Sequence, residues 1–353
     1  MRKVICRIVG IILLPIVLIA VVNYTIDPDF VLKTGYTKQI AMALNEGKMV
    51  AGPVNSNLRQ IKKKWIEIMD EGPDILVLGS SRTISLSNNV FHGEHFFNAS
   101  VSNCTFQDMY IFISLLEQQH FKYPEKVFIC CDLWLFGNSF SEKRWLQNRS
   151  DFISLAEQST TIPLKNIPPK WEIQKEWITE LFSTRYLLRS VKTKGKKQEI
   201  TICEKVDSTQ MMLLPDGTRL SPARVTNINE VKTEELARHY FYNTDDEHFA
   251  TIDPTQKILF DQLLILLKKK GSKPILYIPP YHPTTYELIK NEDQTKGIFQ
   301  ANDYVGLVAQ QNNIKVVGAI NPFDSGLQKS DFYDGVHLKK AALEQLFVKE
   351  LNE

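Results

Sequence analysis

Three short, uninterrupted apolar runs, at residues 75–78, 127–131 and 275–278, with a fourth at 314–317 that only Lys315 interrupts, constrain this chain more than any other feature. A run that is apolar at every position, not at alternate ones, belongs to a strand buried on both faces, the condition of a central strand in a parallel sheet. A weaker run at residues 95–99 lies between the first two. Helical patterns separate the runs, at residues 106–118 and 254–270. Asp253 stands as N-cap of the second helix, Pro254 in its first turn and Gly271 just past its end. Strands alternating with helices predict an α/β domain, a parallel sheet with helices on both faces.

Residues 137–250 break this rhythm. They are richer in polar, Trp and Pro residues, with Pro163, Pro168-Pro169 and the turn Pro215-Asp216-Gly217 as interruptions. They read as one long insertion between the third strand and the Pro254 helix, a cap beside the site. Residues 23–72 form a polar juxtamembrane segment ending in a basic amphipathic helix, with Leu58, Ile61, Trp65, Ile68 and Met69 at helical spacing. The α/β domain proper is expected over residues 73–353.

Residues 4–22 are apolar apart from Arg7, and about 20 such residues span a bilayer. Arg2, Lys3 and Arg7 lie at the front of the run, so the positive-inside bias places the amino terminus in the cytoplasm and everything after Asn23 outside. No small-x-small cleavage pattern follows, which favours an uncleaved, single-pass signal anchor over a removed signal peptide. A buried core helix would keep a polar face, and this stretch has none. The chain as a whole is balanced, with 42 Lys and Arg against 40 Asp and Glu, so no nucleic-acid partner is called for.

In a sheet of this kind, ligands sit at the carboxyl ends of the strands, near the point where strand order reverses. The first run ends in Gly79-Ser80-Ser81-Arg82-Thr83, where hydroxyl residues arrive at an expected helix N-terminus whose N–H groups and dipole suit a developing oxyanion. Near the other end of the chain stands Asp331-Phe332-Tyr333-Asp334-Gly335-Val336-His337. A carboxylate three residues before a histidine can hold Nδ1 and leave Nε2 to deprotonate a serine. Either motif alone is common; together, each at the active edge, they make Ser81, His337 and Asp334 a candidate triad.

These residues resemble the SGNH/GDSL hydrolase superfamily. Gly79-Ser80-Ser81, Asn98-Ala99-Ser100-Val101-Ser102-Asn103 and Asp334-Gly335-Val336-His337 look like its blocks I, II and V. The resemblance spans residues 73–350 apart from the insertion and implies a three-layer, flavodoxin-like α/β/α fold without metal or organic cofactor. Ser81 matches the nucleophile, His337 the base and Asp334 its orienter. Ser100 and Asn103 stand where block II carries glycines, and Ser100 would give an oxyanion N–H. The block III stretch, Ile129-Cys130-Cys131-Asp132-Leu133-Trp134, lacks the usual Asn donor, and Asp132 orients Arg82, contacts substrate or simply caps a turn.

The anchor, the stretch from Asn23 to Pro28 and the Leu-Gly-Ser-Ser-Arg string resemble bacterial extracytoplasmic members associated with polysaccharide acylation. The resemblance implies an esterase or O-acyltransferase acting on an acylated glycan at the bacterial cell membrane, beside other membrane proteins of such a system. A carboxylesterase or lysophospholipase, and a catalytically silent glycan-binding or assembly subunit, remain as alternatives.

Weaker features complete the reading. Tyr281 and His282 are expected on the active rim. The basic run Arg185, Arg189, Lys192, Lys194, Lys196 and Lys197 reads as a solvated face or a meeting point for anionic glycan or headgroups. His239, Tyr240, Glu247 and His248 are read as structural, not as metal ligands. The five cysteines are odd in number and contain no C-x-x-C. Cys130 and Cys131 read as buried apolar residues, with a disulfide to Cys104 as the alternative.

Overall fold

The computed structural model describes residues 2–352 apart from 28–31, 33–34, 53–56, 92–93, 139–141, 170 and 194–199. Its α-helices are α1 (Arg2–Ile26), α2 (Tyr36–Asn45), α3 (Leu58–Ile66), α4 (Phe106–Gln118), α5 (Arg149–Ala156), α6 (Trp171–Leu181), α7 (Thr184–Thr193), α8 (Ala223–Thr226), α9 (Glu230–Asn243), α10 (Pro254–Lys269), α11 (Pro283–Asn291), α12 (Lys296–Asn312) and α13 (Lys340–Asn352). The strands are β1 (Met49–Ala51), β2 (Ile75–Leu78), β3 (Phe96–Asn98), β4 (Lys126–Cys130), β5 (Thr201–Cys203), β6 (Met212–Leu213), β7 (Arg219–Leu220), β8 (Lys273–Tyr277) and β9 (Lys315–Val317).

All five expected core strands form, and they pair in parallel in the order β3-β2-β4-β8-β9. The chain steps from β2 to one side and then returns to the other, so the order reverses at the carboxyl ends of β2 and β4. Alternate side chains of each strand enter different cores. Ile75, Val77, Phe128 and Tyr277 pack with Leu343, Leu346 and Phe347 of α13. Leu76, Leu78, Val127, Ile129 and Leu276 pack against α3, α4, α10 and α12. Burial on both faces is the reason these runs carry no polar alternation.

The helix signals read from the sequence act as described. The Asp253 side chain accepts from the N–H groups of Thr255 and Gln256, and Gly271 follows α10 at a φ of +85° that favours glycine. Thr105 and Asp108 close a reciprocal capping box at the start of α4.

Ile40, Leu44, Val50, Leu58, Ile61 and Trp65 are buried in the larger core. Strand β1 lies inside a second, antiparallel sheet of order β5-β1-β6-β7, between two strands of the insertion. These strands are two or three residues long, too short for a periodic signal, and their pairing is long-range.

Among the described residues, no helix is long and apolar enough to cross a membrane. The expected span at residues 4–22 falls on α1, but the side chains at positions 2–6, 8–10 and 12 lie outside the described residues. Of those described, Ile11, Leu14, Val17, Leu18 and Val21 are exposed. Pro28 of the Asn23–Pro28 stretch, and Lys194, Lys196 and Lys197 of the basic run, also lie outside.

Candidate active site

The two ends of the domain meet at the carboxyl end of β2. Ser81 Oγ stands 2.7 Å from His337 Nε2, and His337 Nδ1 stands 2.8 Å from Asp334 Oδ2. An ionised carboxylate only accepts, so the imidazole proton sits on Nδ1, leaving the Nε2 lone pair to accept from the serine hydroxyl. The other Asp334 oxygen accepts from the N–H groups of Val336 and His337, at 2.9 and 2.8 Å, which fixes the turn. Burial pushes the Asp334 carboxyl up, but His337 and these hydrogen bonds outweigh it and hold it below the usual carboxylate range. The phenol ring of Tyr333 stacks on His337, 5.4 Å between centroids and 5° from parallel. The sequence motif contained Tyr333, but nothing in its spacing announced this role.

No helix follows β2. Residues 81–85 form turns, because the carbonyls that a helix would use are taken by other partners. Asn98 Nδ2 donates to the carbonyls of Thr83 and Leu86, and the Arg219 N–H donates to that of Ile84. The expected helix dipole is therefore missing from the oxyanion region. The Ser81 N–H is engaged by no acceptor among the described residues. The Ser100 N–H, expected to face the oxyanion, donates instead to Asn98 Oδ1 at 2.9 Å, and Ser100 Oγ pairs with Thr83 Oγ1 at 2.9 Å. Asn103 adopts a left-handed turn with φ +52°, its carbonyl held by Arg59 at 2.7 Å, and bonds to no triad member. At block III, the Cys131 N–H continues the sheet to the Tyr277 carbonyl and its side chain is buried. Cys104, Cys130 and Cys131 are free thiols, so the alternative disulfide is not formed, and burial pushes all three up.

Arg82 and Asp132 come together, but beneath the Ser81 turn and fully buried. Arg82 Nε lies 3.3 Å from Asp132 Oδ1, its Nη2 3.4 Å from Glu247 Oε1, and its guanidinium 4.5 Å over the Tyr281 ring. Burial raises the carboxyls of both Asp132 and Glu247, and the Arg82 charge opposes it. Glu247 also accepts from Tyr240 Oη at 2.5 Å. Glu247 thus serves as a structural counter-ion supplied by the insertion, and among the described residues no group of three or more metal-ligating side chains forms. Sequence spacing could not pair positions 165 residues apart.

Tyr281 and His282 are buried, not on the rim. His282 caps α11: its Nδ1 accepts from the Thr284 N–H at 3.1 Å, so the proton is on Nε2, which finds no partner. Burial pulls this imidazole down to about 4 from 6.5, with the nearby Lys329 charge acting in the same direction. Between these values the unfolded chain binds the proton and the folded one does not, so stability rises with pH through this window. His282→Gln is expected to flatten the stability profile between pH 4 and 6.5, removing a slope worth up to about 3 kcal/mol, as urea unfolding at several pH values would read.

The triad opens on a cleft of about 370 Å³ that Ser81, Tyr333 and Lys339 share with Ser208, Gln210 and Asn227 of the insertion. Residues of the insertion thus wall this cleft. Gly217 lets its hairpin rest on the nucleophile side of the sheet: φ is +84°, and a Cβ there would lie 2.3 Å from the Asn98 carbonyl oxygen. A larger hollow of about 510 Å³ beside Arg238, Phe241 and Glu287 holds no triad residue. No protein-family model matches the chain, and no curated protein matches it in sequence.

Proposed function

We propose that the protein is a serine esterase or O-acyltransferase of the SGNH type, tethered to the bacterial cell membrane by α1 and acting on ester-linked acyl groups of an extracytoplasmic glycan. Ser81 Oγ attacks the acyl carbonyl while His337 Nε2 takes its proton and Asp334 stabilises the imidazolium. The Ser81 N–H receives the oxyanion, and His337 returns the proton to the departing alcohol. Water then resolves the acyl-enzyme in hydrolysis, or a sugar hydroxyl does so in transfer.

The observation that carries this reading is the unbroken relay from Ser81 through His337 to Asp334, at 2.7 and 2.8 Å. The strand order, the same as in flavodoxin-like folds, supports it. Glycan over free lipid ester is favoured by the cleft wall, where Ser208, Gln210 and Asn227 stand beside Val206, Leu220 and Leu338, a mixture suited to an acyl group on a polar carrier. The exposed apolar side chains of α1 support the tether, since nothing among the described residues covers them.

One observation favours a second reading, a silent glycan-binding or assembly subunit: Ser100 has its N–H engaged and Cys131 offers no donor, so oxyanion support is thin. Fluorophosphonate labelling decides. The wild-type protein and Ser80→Ala are expected to label and Ser81→Ala not; absence of label on the wild type would leave the silent reading.

A further inference from the structure

The insertion lays two helices against the end of α1, and a buried polar clasp holds them there. Asn23 Nδ2 donates to the carbonyls of Leu181 and Ser183 at 3.0 Å each and of Glu180 at 3.3 Å, and its Oδ1 accepts from Ser190 at 3.3 Å. One turn further on, Asp27 accepts from Tyr186 Oη at 2.6 Å. Residue 190 thus meets residue 23 while residue 186 meets residue 27, so α7 runs antiparallel to α1. Its last turn is carried back to the level of residues 19–22, within the apolar stretch.

The outward faces of these helices are not those of a solvated hairpin. In α6 and the residue after it, Trp171, Ile178 and Phe182 recur at helical spacing on one side, 57%, 50% and 43% exposed, with Trp177 exposed beside them. In α7, Tyr186 and Ser190 face the clasp, Leu188 and Val191 form an exposed apolar stripe, and Arg185, Arg189 and Lys192 form an exposed cationic stripe next to it. A helix with adjoining apolar and basic stripes lies in a bilayer surface, and Trp prefers that boundary.

We infer that α6 and α7 lie in the interface of the bilayer entered by α1, with Trp171, Ile178, Phe182, Leu188 and Val191 at the acyl boundary and the cationic stripe of α7 on anionic headgroups. The inference rests on reading α1 as the anchor. Lipid is the occupant because the hairpin packs on α1, the helix read as the anchor, whose Ile11, Leu14, Leu18 and Val21 are likewise apolar and exposed. The cationic stripe complements an anionic lipid surface. Hairpin and anchor together fix the tilt of the domain, and so the direction in which the Ser81 cleft faces.

Bromolipid quenching of tryptophan tests this. Trp65, Trp134 and Trp145 are buried, which leaves Trp171 and Trp177 as the tryptophans open to lipid. The full-length chain is reconstituted in phosphatidylcholine–phosphatidylglycerol vesicles brominated near the headgroups. Quenching is expected in the wild type and is lost in Trp171→Phe/Trp177→Phe, whose cooperative unfolding shows that the fold survives loss of the 3.3 Å bond from Trp177 Nε1 to the Leu32 carbonyl. An alkaline carbonate wash assays the anchor separately. Protein retained by the vesicles but quenched no more than the double variant overturns the inference and points to a protein surface, such as a second copy, on the hairpin. Protein removed by the wash overturns the anchor reading, and this inference with it.

Discussion

Replacement of His337 by Ala is expected to lower turnover of p-nitrophenyl acetate by about 10⁶-fold, and Asp334→Asn by about 10⁴-fold. The order follows from the geometry. His337 Nε2, 2.7 Å from Ser81 Oγ, is the base within reach of that hydroxyl, so its loss leaves the nucleophile protonated. Asp334 acts through His337. An Asn amide there would present either a second donor or a neutral acceptor, losing the tautomer and the charge that favours the imidazolium. Because the three groups act as one unit, Ser81→Ala/His337→Ala should be no slower than either single variant. Losses that multiply would mean that the residues work independently and that the relay is not the engine. Residual activity should be low, since few donors remain to receive an oxyanion once the triad is broken.

The largest expected loss of stability lies away from the cleft, at Asp108. Its carboxylate binds Arg59 through two hydrogen bonds, at 2.8 and 2.9 Å, with both side chains nearly fully buried. The same carboxylate accepts from the Thr105 N–H at 2.9 Å to close the cap of α4. Burial pulls the Arg59 guanidinium down and the Asp108 charge more than restores it, so Asp108 compensates a cation that stays charged in a buried site. Asp108→Ala strands that cation and opens the cap, at a cost of about 4 kcal/mol. Urea unfolding would read this as a lower midpoint at unchanged slope. Asp108→Asn keeps an acceptor for the cap and should cost less; equal losses would assign the effect to the charge alone. Arg59 also holds the Asn103 carbonyl, so the variant should loosen the turn after β3 as well.

What the sequence made legible follows from the range of each interaction. Core strands were readable because burial on both faces leaves an unbroken apolar run, and α4 and α10 because caps and apolar period agree. Ser81, His337 and Asp334 were found because each sits in a compact local motif. The remainder depends on partners far along the chain. Glu247 under Arg82, and Asn98 with Arg219 on the carbonyls of residues 83–86, leave no local trace, so the helix expected after β2 was displaced. Ser100 sits in the turn its motif suggested, but its N–H turns inward to the neighbouring Asn98 side chain, a rotation that spacing does not encode. His282 reads as a rim residue from its place after a strand, yet the close return of Gly335, whose carbonyl takes the His282 N–H at 3.0 Å, covers it.

The seat of β1 between β5 and β6 has a practical corollary for dissecting the protein. Trimming the polypeptide at residue 73, where the parallel-sheet domain starts, would pull an inner rung from a four-rung ladder, bare Leu213 to water and leave the insertion that walls the cleft unmoored. A shortened form that stays folded has to retain everything from Tyr36 onward. The stretch ahead of residue 73 is therefore not a stalk but part of the roof.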